Sequence, residues 1–169
     1  VVADLGSDDD VGAAVHACVD RFGRLDFLLN CGGNIEGLGK HLWEITPEEW
    51  TTSFQANATG VLNLIRHVAP VMLDQHAGRM FFLTTSATLI PKEKTGCYAS
   101  AKAVANHMVQ TLVEELGPQG IQANVFNPGP IDTESYREMT DAIDVSTPNQ
   151  QQQAAPQSPD VAARLLLWL

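Results

Sequence analysis

Apolar positions along the chain follow two spacings, and these spacings predict helices and strands in turn. Apolar residues recur at helical spacing behind Ser7, and this segment stops at Gly23. A continuous apolar run over residues 25–30 then leads into Cys31-Gly32-Gly33, which indicates a buried strand that ends in a tight turn. The same alternation recurs further along the chain, and residues 1–4 resemble the tail of an earlier strand.

Start and stop signals place the remaining elements. Thr46-Pro47-Glu48-Glu49 combines an N-cap threonine with a proline in the first turn, which predicts a helix from residue 47 to about residue 75. The pattern further predicts a strand over 79–85, a helix over 98–116, a strand over 121–126 and a last helix from Ser158-Pro159-Asp160 to the end of the chain.

Strands that alternate with helices predict a parallel sheet with helices on both faces. The 169 residues suit a single domain, 1–169. Ligands of such sheets bind beyond the carboxyl ends of the strands, and each candidate motif below lies at or just after such an end. The polar stretch around residues 147–156 is either a surface loop or part of a substrate lid, which we expect over 134–157.

Composition narrows the classes of partner. The net charge of −10 argues against nucleic acid and anionic membrane as partners. No apolar run approaches the roughly 18–20 residues that span a bilayer. The three cysteines are widely spaced and the five histidines form no His-Glu-x-x-His motif, so we expect free thiols, a cytoplasmic location and no metal site.

The candidate chemistry centres on Tyr98 and Lys102, which lie one helical turn apart. Residues at this spacing share a helix face, so the phenol and the ammonium should be neighbours. An adjacent ammonium favours the phenolate, so we expect the pKa of Tyr98 to fall towards the range of a general acid or base. The hydroxyls of Thr85 and Ser86 precede this pair and can donate a hydrogen bond to a developing oxyanion.

These residues belong to a longer ordered set of motifs. The set comprises Asp4, Asn30-Cys31-Gly32-Gly33, Asn57 within Gln55-Ala-Asn-Ala-Thr-Gly60, Thr84-Thr85-Ser86, Tyr98 with Lys102, and Pro128-Gly129-Pro130-Ile131-Asp132-Thr133. In this order the motifs resemble those of the classical short-chain dehydrogenase/reductase family. The resemblance implies a Rossmann-like, doubly wound parallel sheet in a three-layer αβα arrangement.

The resemblance also implies a catalytic set of Asn57, Ser86, Tyr98 and Lys102, which would interconvert a carbonyl and a secondary alcohol by hydride transfer. Tyr98 would exchange the proton, and Lys102 would lower its pKa and hydrogen-bond the nicotinamide ribose. Asn57 would hold a water that relays protons from Lys102. Ser86 would polarise the carbonyl, but Thr85 has the family's usual spacing to the tyrosine, so both hydroxyls stay candidates.

NAD or NADP is the cofactor that the resemblance implies. Its candidate contacts are Asp4 at the adenine, Asn30, Gly32 and Gly33 in the turn, Tyr98 and Lys102, and Pro128, Gly129, Ile131 and Thr133 at the nicotinamide end. From the residues alone, the glycine turn is also an ordinary tight turn. Thr133 is likewise an ordinary N-cap before Glu134.

The sequence departs from the family pattern at both ends. The glycine-rich phosphate loop, the second strand that selects between NAD and NADP, and the final strand have no counterpart in the sequence. We therefore expect a piece of a longer product whose sheet lacks the first two strands and the last. The alternative is a non-catalytic homologue that keeps the catalytic residues and acts as an interaction module.

Family members are similar in assembly but diverse in substrate. For the longer product, the resemblance implies a homodimer or homotetramer built on the helices predicted over 47–75 and 98–116. The substrate would be a small carbonyl or alcohol compound, as in 3-oxoacyl reductases or sugar and polyol dehydrogenases.

Overall fold

The computed structural model describes residues 1–142 and 156–166. Its strands are β1 (Phe27–Asn30), β2 (Gly78–Leu83) and β3 (Ile121–Phe126). Its α-helices are α1 (Asp8–Phe22), α2 (Pro47–Phe54), α3 (Gly60–Gln75), α4 (Gly96–Leu116), α5 (Glu134–Ala142) and α6 (Pro159–Leu166). Strand and helix alternate along the chain, so the predicted α/β class is confirmed.

The strands form one parallel sheet in the order β1-β2-β3. Phe82 of β2 pairs with Asn30 on one side and with Val125 on the other. Because the strands are parallel and in register, their carboxyl ends meet at one edge of the sheet. The turns after Asn30, Leu83 and Phe126 therefore leave the sheet side by side, as the sequence predicts.

The apolar core lies between one face of the sheet and the helices α1, α3 and α4. Its buried residues include Val11, Val15, Leu64, Val68, Met72, Met80, Phe82, Val109, Leu112 and Ile121. The opposite face carries Phe81, whose ring stacks on Phe27 with centroids 5.1 Å apart. Within the described residues, no helix combines the length and apolar character needed to cross a membrane.

Local capping explains where the first helices begin and end. Ser7 Oγ accepts a hydrogen bond from Asp10 N at the start of α1, and Gly23 ends this helix in the left-handed region with φ of 75°. Thr46 and Glu49 form the reciprocal capping box that opens α2. These ends agree with the sequence signals.

The helix predicted over 47–75 is interrupted in its middle. A π-helical turn, Gln55–Thr59, separates α2 from α3. Such a turn adds one residue to the helical repeat and is common at functional sites. Periodicity does not reveal it, because the apolar stripe continues on both sides.

Residues 1–4 are irregular, so the predicted strand tail is wrong. Val1 and Val2 are almost fully exposed, and a strand requires a neighbouring strand with which to pair. Leu5 and Gly6 instead dock on the helices, where Asn63 Nδ2 donates to Leu5 O at 2.9 Å and Gln55 Nε2 donates to Gly6 O at 2.6 Å.

Three further boundaries differ from expectation, and the first is that of β1, which begins at Phe27 rather than at residue 25. β2 ends at Leu83, so Thr84 and Thr85 lie beyond it, and α4 begins at Gly96 rather than at Tyr98. Of the predicted lid over 134–157, residues 134–142 form α5, and residues 143–155 lie outside the described part of the chain. The predicted last helix is α6, and residues 167–169 lie outside the described part.

A stability prediction follows from the end of α3. His76 ends this helix with φ of 52°, where a Cβ is unfavourable. We expect His76→Gly to raise the free energy of unfolding by about 0.5–1 kcal/mol. The control His107→Gly, at an exposed position inside α4, should lower it by about 0.3–0.5 kcal/mol. Urea denaturation measures both, and changes of the same sign would contradict the prediction.

Candidate active site

The turn after β1 begins with a buried asparagine. Asn30 is 5% exposed, and its Oδ1 accepts a hydrogen bond from Gly32 N at 3.0 Å. This bond closes an Asx turn, which redirects the backbone away from the sheet. The side chain of Asn30 therefore fixes the path of residues 31–34 across the sheet edge.

Asn57 anchors the far end of the same turn. It lies in the π-helical turn, is fully buried, and its Nδ2 donates to Asn34 O at 2.7 Å and to Ser53 O at 3.0 Å. Its Oδ1 accepts from Asn34 N at 3.3 Å. Because both amide hydrogens are committed to protein carbonyls, a water on this side chain could only donate to Oδ1. The predicted water relay stays a prediction.

Gly33 lies between Asn57 and Lys102. A Cβ at Gly33 would be 2.8 Å from Asn57 Oδ1 and 3.2 Å from Lys102 Nζ. At Gly32, a Cβ would overlap with the side chain of Leu5. The resemblance implies that glycine occupies these positions because a cofactor approaches the backbone there. The structure shows that neighbouring side chains of the protein itself already exclude any bulk.

Lys102 is a buried cation. Only 5% of it is exposed, and its Nζ donates to Leu83 O at 3.3 Å. Burial lowers the pKa of Lys102 to about 8, and the nearby Cys31 opposes this shift only in part. Lys102 therefore joins α4 to the end of β2, close to the glycine turn.

The phenol of Tyr98 accompanies Lys102 on α4. Lys102 Nζ lies 5.9 Å from the centroid of the Tyr98 ring. Burial raises the pKa of Tyr98, so the expected lowering by Lys102 is wrong in this structure. The desolvation of the phenolate outweighs the ammonium, which lies over the ring. Within the described residues the Tyr98 hydroxyl makes no hydrogen bond, so it is free to bind a ligand.

The two candidate hydroxyls after β2 differ in their partners. Thr85 Oγ1 accepts a hydrogen bond from Ala87 N at 3.3 Å and so caps the short helix Ser86–Thr88. The hydroxyl of Ser86 has no hydrogen-bond partner in the described part of the chain. Asn106 Nδ2 on α4 donates to Thr88 Oγ1 at 3.1 Å and holds this helix beside α4.

Asp4 lies near the turn after β1, because its neighbour Leu5 packs against Gly32 in that turn and against Gly60. Asp4 Oδ1 accepts a hydrogen bond from Gly6 N at 2.9 Å, so the carboxylate shapes the loop in which it lies. It remains exposed at this end of the molecule. The structure thus brings Asp4 to the edge of the site, and its contact with adenine stays a prediction.

The segment after β3 is less connected to the other candidates. Gly129 has φ of 74°, and Ile131 forms a parallel bridge with Gln157. Thr133 Oγ1 accepts a hydrogen bond from Tyr136 N at 3.2 Å, which is the N-cap of α5. No hydrogen bond in the described residues joins Pro128, Gly129, Ile131 or Thr133 to Tyr98 or Lys102.

Sequence reasoning missed three residues of the site. Leu5 and Asn34 contribute through backbone groups or an apolar contact, which no local pattern reveals. The backbone carbonyl of Ser53 accepts a hydrogen bond from Asn57 Nδ2. Its position four residues before Asn57 on a helix was the available signal.

The donors of the site fit the ribose and carboxamide end of a nicotinamide cofactor. A lysine ammonium has three N–H groups, and Lys102 uses one of them on Leu83 O. The Tyr98 hydroxyl is also without a partner in the described residues. Both groups can therefore donate hydrogen bonds to a ligand rich in hydroxyl oxygens while the bond from Lys102 to Leu83 O is kept.

Fold and site together define a Rossmann-like α/β protein with a tyrosine–lysine pair at the carboxyl edge of its sheet. Residues 1–169 match the family model described as enoyl-(acyl carrier protein) reductase. The chain belongs to the short-chain dehydrogenase/reductase family, whose members are NAD(P)-dependent oxidoreductases.

Similar proteins support this assignment. An uncharacterized NAD-dependent oxidoreductase of Mycobacterium tuberculosis is 34% identical over 131 residues, which are 77% of this chain and 47% of that protein. The 2,3-dihydro-2,3-dihydroxybenzoate dehydrogenase of Bacillus subtilis is 31% identical over 134 residues, 79% of this chain and 49% of that protein.

A solved structure is similar as well. A gluconate 5-dehydrogenase of Burkholderia cenocepacia, in complex with NADP and tartrate, superposes with a TM-score of 0.76 and 25% identity over 82% of this chain and 53% of its own. The chain thus spans about half the length of these relatives.

The buried ammonium generates a prediction about pH. The pKa of Lys102 is lowered from 10.5 to about 8, so folding disfavours the charged ammonium. This cost to the free energy of unfolding disappears as pH rises from 8 to 10.5. We expect Lys102→Met to be more stable than the parent by about 3 kcal/mol at pH 7. The difference should shrink at higher pH.

Denaturation with urea at several pH values between 7 and 10 measures this difference. Lys92→Met, outside the site, is the control and should change stability by less than about 0.5 kcal/mol. A Lys102→Met difference that does not vary with pH would show that the ammonium is not penalised by folding.

Proposed function

We propose that the protein is an NAD(P)-dependent oxidoreductase that interconverts a carbonyl and a secondary alcohol by hydride transfer. The observation that carries this proposal is the cluster at the carboxyl edge of the sheet. There, Tyr98 and the buried Lys102 lie beside a turn that Asn57 holds in place. Membership in a family of oxidoreductases supports it.

Each residue has a defined task in this reaction. When bound, the cofactor would supply or accept the hydride at the substrate carbon. Tyr98 donates its phenolic proton to the carbonyl oxygen, and Lys102 binds ribose hydroxyls with its unused N–H groups. Ser86 donates a hydrogen bond to the same oxygen, because its hydroxyl has no other partner in the described residues. Thr85 is the alternative donor.

The protonation states suit reduction near neutral pH. Burial raises the pKa of Tyr98, so its phenol is protonated and ready to act as an acid. Lys102, with a pKa of about 8, is mostly charged at pH 7 and can return a proton to Tyr98. Alcohol oxidation would require the deprotonated phenol and therefore a higher pH.

The proposal leaves more than one candidate for the cofactor and for the class of substrate. One relative is named NAD-dependent, and a similar solved structure contains NADP, so both cofactors are candidates. The substrate is a small carbonyl or alcohol compound, with 3-oxoacyl and sugar or polyol compounds as candidates. The predicted lid over 134–157 would cover it.

A cytoplasmic location is also part of the proposal. The three cysteines of the chain, Cys18, Cys31 and Cys97, are all free thiols. Free thiols persist in a reducing compartment, which supports this location.

Cofactor binding and one substitution test the proposal. Titration of NADH and of NADPH into the 169-residue protein, followed by nicotinamide fluorescence, should show saturable binding of at least one. We expect Tyr98→Phe to bind the same cofactor and to lower turnover of small ketones by roughly 10²–10⁴-fold, because the proton donor is lost. Phe22→Leu, at an exposed aromatic residue outside the site, is the control and should retain turnover.

Two further variants identify the second hydroxyl. Ser86→Ala should lower turnover more than Thr85→Val if Ser86 is the donor, and the reverse order would assign Thr85. Absence of both cofactor binding and turnover in the parent would contradict the proposal and favour the non-catalytic interaction module. Unchanged turnover in Tyr98→Phe would remove Tyr98 from the mechanism.

We also propose a homodimer or homotetramer built on α2, α3 and α4. The outer surfaces of these helices expose Leu62, Val104 and Val113. Apolar side chains of this size on adjacent helices suit a helix-to-helix interface between copies.

Light scattering after gel filtration tests the assembly. We expect Leu62→Asp and Val104→Asp to shift the protein to the monomer, because a buried unpaired charge opposes association. Leu89→Asp, at an exposed leucine outside these helices, is the control and should leave the mass unchanged. A monomeric parent would contradict the proposed assembly.

A further inference from the structure

The first turn of α4 carries Tyr98 but has no side-chain cap. Thr95 occupies the N-cap position, and its Oγ1 donates to Lys92 O at 2.8 Å instead of accepting a bond from the helix. The preceding Lys94 has φ of 60°, which is unfavourable for a residue with a Cβ. A helix end without a cap frays unless tertiary contacts hold it, so the position of Tyr98 depends on what packs against this turn.

The 31–46 loop, which connects β1 to α2, holds the segment before this turn by a backbone hydrogen bond. Gly39 N donates to Lys94 O at 2.9 Å. Gly39 has φ of 87°, a conformation that a residue with a Cβ rarely adopts, so the path of the loop at this bond requires glycine. The bond thus joins two residues with positive φ, one from each segment, and fixes the loop against the start of α4.

Leu42 of the same loop packs on the first residue of α4. A Cβ at Gly96 would be 2.6 Å from both Cγ and Cδ2 of Leu42, so the leucine side chain lies directly on the glycine backbone. Because Leu42 is 60% exposed, it covers this turn from the solvent side. One residue further along α4, the buried Cys97 packs on Gly37, where a Cβ would be 3.1 Å from its Sγ.

The other end of the 31–46 loop is anchored at the site. Asn57 bonds both backbone groups of Asn34, with its Nδ2 donating to Asn34 O at 2.7 Å and its Oδ1 accepting from Asn34 N at 3.3 Å. Asn57 and Tyr98 lie on different helical segments. The loop therefore forms a continuous set of contacts from the anchor at Asn57 to the helix turn that carries Tyr98.

We propose that Gly39 and Leu42 are positioning residues, which hold the first turn of α4, and with it Tyr98, against the loop that Asn57 anchors. The consequence for catalysis rests on the proposed function, whereas the positioning itself does not. Loss of either contact would loosen the turn and let water reach the Tyr98 phenol.

The titration of Tyr98 reports this positioning without requiring activity. The chain has two tyrosines, so protein labelled with ¹³C at the tyrosine ring carbon that bears oxygen gives two NMR signals, and Tyr136→Phe assigns them. Burial holds the pKa of Tyr98 above the ordinary value of 10, and Lys102, the cation over its ring, is retained in every variant. A midpoint that moves towards 10 therefore reports a wetter phenolate.

A pair of glycine variants tests the backbone bond. We expect Gly39→Ala to move the Tyr98 midpoint towards 10, because alanine disfavours the positive φ that the bond to Lys94 requires. Gly23→Ala is the matched control, since Gly23 has φ of 75° at the end of α1 and faces open space among the described residues. It should lower stability for the same reason and leave the Tyr98 midpoint unchanged.

An exchange of size tests the Leu42 contact. Gly96→Ala places a methyl group where Leu42 lies, and Leu42→Ala removes the cover, so each should move the midpoint towards 10. The double variant should return it towards the parent value, because the added methyl occupies space that the leucine vacates. The control is Gly12→Ala, whose Cβ would be 2.9 Å from His67 Cε1, and it should leave the midpoint unchanged.

A midpoint equal to that of the parent in Gly39→Ala or in Leu42→Ala would remove that residue from the proposal, and equality in both would overturn it. A double variant without any return would also refute the role of Leu42. If Gly39→Ala fails to fold by circular dichroism, the Leu42 series decides, because an exposed leucine tolerates truncation.

Activity gives a second readout that is separate from the first. Where the parent turns over a ketone, Gly39→Ala and Leu42→Ala should lower kcat with little change in KM, and the double variant of Leu42 and Gly96 should recover kcat in part. A parent without turnover would refute the proposed function and leave the NMR result intact.

Discussion

The backbone turn after β1 passes between Asn57 and Lys102 only because Gly33 has no side chain. This close approach lets the side-chain amide of Asn57 form hydrogen bonds with both the N–H and the carbonyl of Asn34. It also lets Lys102 Nζ reach Leu83 O from the other side. Each partner comes from a different element, so the turn, the π-helical segment, α4 and the end of β2 are fixed together. The positions of the other candidate residues depend on this junction.

Lys102 at this junction is a buried cation, and its burial lowers the stability of the fold. Within the described residues Lys102 makes no ion pair, and its one hydrogen bond is to a neutral carbonyl. By contrast, Arg24–Asp26 and Arg66–Asp8 lie at the surface, where such pairs contribute about 0–1 kcal/mol. A buried ammonium without a carboxylate lowers stability, which supports the proposed role of Lys102 in binding or catalysis.

The sequence indicates the elements that depend on local signals and misses those that depend on distant partners. Caps and periodicity locate α1 and the start of α2, because those signals lie within the segments. Residues 1–4 have the apolar character of a strand, but a strand exists only through pairing with a neighbour. Asn57 in the π-helical turn likewise bonds Asn34, a residue 23 positions away, and no local pattern reveals such a partner. The motifs singled out Gly33, Asn57 and Lys102, which lie together in the structure, whereas their hydrogen bonds required the fold.

Burial reverses the order in which Tyr98 and Lys102 lose their protons. In water a phenol near 10 ionises slightly before an ammonium near 10.4. In this structure burial raises the pKa of Tyr98 and lowers that of Lys102 to about 8, so the ammonium is the first to lose its proton. A neutral phenol beside a readily exchanged proton is the arrangement that a general acid requires. The spacing of the two residues brings them together, but the desolvation of the site decides which of them loses its proton first.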